Sequence, residues 1–333
     1  MTFYKLSFMI WLRGLRRQGR EVAKSHLRRL RLGVQARFRR NWPIPPRKTG
    51  NTIVANVAII TVNSNTANLI AGLLFSLCRI VGREQIGRVV VVDNNSTDGS
   101  RDILGAFSEA GLIDVIYNDR QRYHGPGLND GMHLLERLQR NAKSRDELVK
   151  YVWVLDSDCI LLRHDIVEHS LAALQNSGAA LCGQFQNEAV PEGYAHISSL
   201  LFDPAKIWRR GINKFEEHGM PAIALQCSML RERIPRLNFP FRDGGYLLHL
   251  GRGTLRSIRE RSDSANRYYS WAKNHWDSQY HGAPRGKLLH EEFLEVFARE
   301  VPELTPEKLV SACMNPRRIR LELPYRECLS QCS

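Results

Sequence analysis

The chain lacks a long hydrophobic run near its start. MTFYKLSFMIWL, at the N-terminus, is 12 residues long, where a membrane-spanning helix needs about 20. Positive charge follows that run, the reverse of a secretory signal. These features argue against a spanning helix and a cleaved leader. Cysteine is sparse: seven residues, an odd number, with spacings that fit no zinc module. They read as buried or idle thiols in a reducing compartment. No collagen-like period, repeat array or low-complexity tract occurs, so the chain reads as globular, with 333 residues to build a sizeable core.

Acidic residues are nearly missing from the first 48 positions, which hold 14 Lys and Arg against Glu21 alone. The remainder (48 less 14, 34 less 1) has 34 basic and 33 acidic residues. Of the formal charge of +14, the arm therefore carries +13 (14 less 1) and the body +1 (34 less 33), and the near-neutral body does not suggest nucleic acid. Within the arm Leu27, Leu30, Val34 and Phe38 recur at helical steps, with arginines at 28, 29, 31, 37, 39 and 40 between them. That pattern fits a basic amphipathic helix on an anionic leaflet, with Phe8 and Trp11 as anchors, or simply a solvated arm. The three prolines of NWPIPPRKTG end it. The expected division is an arm over 1–50, a main domain over 51–258 and a helical extension over 259–333. The expected setting is cytoplasmic, peripheral on the inner membrane face.

The body alternates strands and helices. NTIVANVAIITVNSN reads as a strand ending near Val62, followed by a helix with Leu69, Leu73, Leu77 and Ile80 on one face and Thr66 as its cap. RVVVVD is a β-branched run typical of a buried parallel strand. Next come a helix opened by Ser96 or Thr97, the strand LIDVIYN, a helix with Met132, Leu135 and Leu138 inward, the strand KYVWVLD and a fourth helix. This order predicts a parallel sheet covered by helices on both faces, with ligands beyond the carboxyl ends of its strands. Asp93 and Asp156 stand at two such ends.

Asp156-Ser157-Asp158 puts two carboxylates together, with the middle side chain turned aside. Unpaired, they repel. A hard divalent cation, Mg²⁺ or Mn²⁺, relieves the repulsion, takes oxygen ligands and keeps open positions for substrate phosphates. It then acts as a Lewis acid on a diphosphate leaving group.

VVVVDNNSTDGSRDIL together with YVWVLDSDCIL resembles the nucleotide-sugar half of glycosyltransferase family 2. VAIITVNSN, YHGPGLNDGMHLL and YLLHLGRGT resemble its first strand, its Gly-Asn segment and its late His-x-Gly segment, so the likeness covers about 53–255. The resemblance implies a GT-A fold, Rossmann-like and α/β, with a mostly parallel sheet. It implies that Thr61 to Asn63 line the base pocket, Asp93 contacts the pyrimidine or ribose, and Asn95 supports that loop. It further implies that Asn129 faces the diphosphate or sugar, Asp156 reaches the ribose or a metal-bound water, Asp158 ligates the metal, and His249 approaches metal or diphosphate from the opposite wall. Arg252 beside it could hold a phosphate oxygen.

One expected feature is absent. Inverting members need a carboxylate base for the acceptor hydroxyl, usually at a helix start before the late histidine. Here a helix starts near Pro221, and 220–222 are Met, Pro and Ala. Glu217, then Asp243, then Glu216 are the candidates. The expected partners are a nucleoside-diphosphate-sugar and a saccharide or lipid-linked acceptor. Two rivals remain open: a scaffold without the base, and a sugar-phosphate nucleotidyltransferase, although TVNSNTANL lacks the basic glycine-rich loop the latter requires. The aromatic-rich stretch from Tyr268 to Tyr280 reads as an acceptor surface or as packing. Leu289, Phe293, Val296 and Phe297 share one helical face of an extension that could serve as an acceptor or homodimer surface, and Thr305-Pro306 opens another short helix.

Overall fold

A computed structural model describes residues 57–141, 148–185, 193–208, 214–216, 221–250 and 284–321. The arm, Glu217, Arg252 and the stretch from Tyr268 to Tyr280 lie outside the described residues.

Among the described residues, seven strands form the main sheet: β1 (Val57–Asn63), β2 (Arg88–Asp93), β3 (Asp114–Tyr117), β4 (Tyr151–Leu155), β6 (Leu181–Phe185), β7 (Ala195–Phe202) and β8 (Arg236–Asn238). The sheet order is β3-β2-β1-β4-β7-β6-β8. β3, β2, β1 and β4 run parallel, as their β-branched runs and intervening helices require. β7 is antiparallel to β4, and β6 to β7, so the sheet is mixed beyond the Asp-Ser-Asp turn. A second, two-stranded sheet pairs β5 (Cys159–Leu161) with β9 (Leu247–His249), antiparallel.

The helices are α1 (Ala67–Ser76), α2 (Ser100–Glu109), α3 (His124–Arg140), α4 (Ile166–Asn176), α5 (Pro204–Trp208), α6 (Pro221–Arg231), α7 (Pro284–Glu300) and α8 (Pro306–Met314). α1 runs on through a π-turn over Leu77–Gly82. Strand alternation divides the apolar residues between two faces. Val57 and Ile59 pack with α1, α2, α4, α7 and α8, whereas Ala58, Ile60 and Val62 pack with α3 and α6. The C-terminal helices share the first core: Phe75 meets Phe297 edge-on at 5.0 Å. Arg79, buried, pairs with Glu300 at 2.9 Å and donates to the carbonyls of Ala312 and Arg317.

Helix starts differ from two expectations. Thr66 occupies the N-cap of α1 without capping it; its hydroxyl donates to Asn63 Oδ1 at 2.6 Å. The capping oxygen comes from the next loop, where Asp98 Oδ2 accepts from Ala67 N at 2.8 Å. α2 starts at Ser100, not Ser96 or Thr97, because Gly99 turns left-handed at φ 89° before it. Thr305 does cap α8, accepting from Lys308 N at 3.3 Å. No helix among the described residues is long and apolar enough to cross a membrane.

Candidate functional site

The carboxyl edge of the parallel strands carries two joined groups of polar residues. The first lies where β1 and β2 end. Asn63 Nδ2 donates to Asp93 Oδ1 at 2.9 Å and to Ser96 Oγ at 3.0 Å. Asp93 Oδ2 accepts from Ser96 N at 3.1 Å and from Arg101 Nε at 2.8 Å. Asp93 is fully buried, and both its oxygens are engaged within the protein. The sequence places it against the base or ribose; in this geometry it is also the post on which the loop stands. Asn95 follows at φ 56°, a left-handed turn that asparagine tolerates. Thr61 is buried, and its hydroxyl has no hydrogen-bond partner among the described residues. Asn94 was missed by sequence reasoning: it is buried, donates to the Arg122 carbonyl and accepts from Asn118 Nδ2, each at 2.8 Å. It ties the ends of β2 and β3 to the segment entering α3.

The second group forms at the end of β4. Asp156 N donates to Ser198 O on β7 at 3.0 Å, and Leu250 N to Asp158 O at 3.0 Å, which fixes the turn between two strands. Cys159 pairs with His249 across β5 and β9, delivering the imidazole to the carboxylates. His249 Nε2 lies 3.3 Å from Asp156 Oδ2 and 3.2 Å from Asp158 Oδ1. Burial alone would push the His249 imidazole down, but the Asp158 charge and hydrogen bonds to both carboxylates raise it to about 10. Burial likewise opposes the charge of Asp156, yet His124, His249 and His196 hold its carboxyl well below the usual range.

The donor set fits a hard divalent cation. One atom from each of Asp156, Asp158 and His249 lies within 4.8 Å of the others. Two carboxylate oxygens and one imidazole nitrogen suit Mg²⁺ or Mn²⁺ with positions left for phosphate. Asp156 Oδ1 is buried and accepts no hydrogen bond among the described residues; its neighbour is His124 Nε2 at 3.5 Å. Sequence reasoning passed over His124, although it is the second residue of the Gly-Asn segment already singled out. It also passed over His196, whose ring lies 5.3 Å from that of His249. Burial pushes the His196 imidazole down to about 4, helped by the His249 charge, so it is neutral at pH 7.

The third wall brings α3, α6 and residues 214–216 together. A Cβ on Gly125 would fall 1.6 Å from the Glu216 carbonyl oxygen and 3.4 Å from Pro221 Cβ, so only glycine permits this approach. Glu216 and the start of α6 therefore lie beside His124, whose Nε2 is 3.5 Å from Asp156 Oδ1. The first turn of α6 contains no acid. Asn129 does not point freely at a donor: its Nδ2 donates to Phe215 O at 2.8 Å and its Oδ1 accepts from Phe215 N at 3.1 Å. Its geometry holds the 214–216 segment in place. Asp243 is exposed on the β8–β9 loop, its amide 3.3 Å from Gln184 Oε1.

The glycosyl transferase family 2 model matches residues 56–235. No curated protein matches the chain. Among solved structures, S. aureus TarS 1–349 in complex with UDP-GlcNAc is 15% identical, with a TM-score of 0.44, over 77% of this chain and 79% of that one. The Pyrobaculum calidifontis mannosyltransferase PcManGT, solved with GDP-Man and Mn²⁺, is 16% identical, with a TM-score of 0.45, over 85% and 92%. Glucosyl-3-phosphoglycerate synthase from Mycobacterium tuberculosis is 15% identical, with a TM-score of 0.40, over 64% and 84%. The matched 56–235 span holds the ends of β1, β2 and β4, the Asp-Ser-Asp turn and the Gly125 approach, and over more than half its length this chain belongs to glycosyl transferase family 2.

Proposed function

We propose that the protein transfers a sugar from a nucleoside-diphosphate donor to an acceptor hydroxyl, in a reaction dependent on Mg²⁺ or Mn²⁺. The observation that carries this reading is the convergence of Asp156, Asp158 and His249 at the carboxyl edge of the sheet. These three residues would hold the cation, which supplies positive charge to the diphosphate as it leaves. The Asn63–Asp93–Ser96 network holds the nucleoside rim in one shape before any ligand arrives, which lowers the ordering cost of binding. Thr61 and Asn95 sit on that rim, and Asn129 acts by fixing the wall that faces it.

Inversion at the anomeric carbon needs a base that takes the acceptor's proton. We assign it to Glu217, with Asp243 and then Glu216 as substitutes. The packing of Glu216 against Gly125, next to His124, supports a base from this segment. The acceptor is a saccharide or a lipid-linked saccharide, and residues 1–48, with 14 basic side chains, suit an anionic membrane surface that presents the latter.

One observation favours a second reading. The first turn of α6 has no acid, as in a domain that binds donor without turning it over. Donor hydrolysis decides between them. UDP-, dTDP- and GDP-sugars with Mn²⁺ should be hydrolysed slowly by the wild type and not by Asp158→Ala; a binder without catalysis hydrolyses none. Full turnover in Glu217→Gln would move the base to Asp243 or Glu216.

A further inference from the structure

The antiparallel course of β7 brings its amino end, not its carboxyl end, to the ligand edge of the sheet. Leu155 pairs with Ser199, and Asp156 N donates to Ser198 O. Continued by this register, His196 stands level with the Asp-Ser-Asp turn. Its ring leans on that of His249 at 5.3 Å and 40°.

The ring is fixed in a definite hydrogen-bonding state. Ser198 N donates to His196 Nδ1 at 3.1 Å, so Nδ1 is the acceptor and the proton resides on Nε2. With a proton on Nε2 in the neutral form, and one there also in the imidazolium, Nε2 is a donor at any pH. That N–H has no partner among the described residues, and the residue is not fully buried.

The edge reads as a ruler. Its neighbouring positions run β2, β1, β4, β7, each strand about 4.8 Å from the next. The rim built on Asn63 and Asp93 lies at β1 and β2, and the cation ligands at β4. A nucleoside-diphosphate-sugar is linear in the same order. With the nucleoside at β1 and β2 and the diphosphate at β4, the next position, β7, receives the sugar.

We propose that His196 is a specificity-determining residue for the transferred sugar, its Nε2–H donating to an oxygen of that sugar. This inference rests on the donor-site reading above. The test compares nucleoside diphosphates with their sugars on the full chain. UDP, dTDP and GDP, and their glucose, mannose or N-acetylglucosamine conjugates, are titrated calorimetrically with Mn²⁺ into wild type, His196→Phe and His196→Gln. Phe keeps a ring against His249 and removes the donor; Gln keeps a donor.

The expected result is a nucleoside diphosphate affinity unchanged within about twofold in His196→Phe, with nucleotide-sugar affinity weakened roughly five- to tenfold, the size of one neutral hydrogen bond. His196→Gln should recover part of that loss. Equal weakening of both ligand classes would place His196 with the cation ligands and overturn the proposal. No weakening of either in the folded variants would also overturn it. Wild-type protein that binds no nucleotide would instead overturn the donor site itself, a separate result.

Discussion

His249 Nε2 sits 3.2 Å from Asp158 Oδ1, its proton directed at the place where a cation would be held. With its imidazole raised to about 10, His249 carries that proton at neutral pH. A cation needs the same nitrogen's lone pair, so binding must expel the proton. Calorimetry of Mn²⁺ binding at pH 7.5, repeated in buffers of different ionisation enthalpy, should report release of about one proton, and affinity should rise up to tenfold per pH unit toward pH 10.

The same group has the opposite effect on cation-free stability. Its folded value lies above the unfolded value of about 6.5. The stabilisation is therefore fully present below about 6.5 and is lost as pH rises through about 10. Urea unfolding midpoints measured in chelator should fall between pH 6.5 and 10, and the fall should be much smaller in His249→Gln.

Asp93 is expected to act on stability as much as on binding. Asp93→Ala leaves Ser96 N and Arg101 Nε without this acceptor and Asn63 Nδ2 with Ser96 Oγ alone. The cost should be about 2–3 kcal/mol, moderated because Arg101 is 40% exposed and rehydrates. Equilibrium urea unfolding gives the number, and Arg101→Ala should cost less than half as much.

Gly125 tests the third wall. A methyl group 1.6 Å from the Glu216 carbonyl oxygen forces the 214–216 segment or α3 to move. Gly125→Ala should cost about 1–3 kcal/mol by overpacking and should depress donor turnover. Gly99→Ala meets no heavy atom within 4 Å, so it separates steric crowding from the backbone strain of its φ of 89°.

Arg79 fastens the C-terminal helices. Its guanidinium is 3% exposed and pairs with Glu300 and with two backbone carbonyls. Arg79→Met removes the buried charge together with its pairing, whereas Glu300→Ala leaves the charge behind, and the latter should be the more destabilising, by about 3 kcal/mol or more. Thermal melts of the two variants check the order.

Much of the donor half was legible from chemistry that is local in sequence. β1, β2 and β4 are β-branched runs that end in Asn63, Asp93 and Asp156, and Asp-Ser-Asp states its own cation chemistry. What escaped depends on chain crossings. His196 reaches the site only because β7 turns antiparallel, which the β-α alternation before it did not foretell; the alternating start of the segment, Ala195-His196-Ile197-Ser198, was the available signal. Asp93 reads as a ligand contact in sequence; that Arg101, in the first turn of α2, also closes over it depends on the path of the 94–99 loop. Asp98, not Thr66, caps α1 because the loops after β1 and β2 interlock.

The most direct measurement is calorimetric titration of the full chain with UDP, dTDP and GDP, with and without Mn²⁺, beside Asp158→Ala. One nucleotide is expected to bind, only with Mn²⁺, and Asp158→Ala is expected to abolish the metal-dependent part while remaining folded. Folded wild-type protein that binds none of the three, or binding that Mn²⁺ and Asp158→Ala leave unchanged, would contradict the donor-site reading.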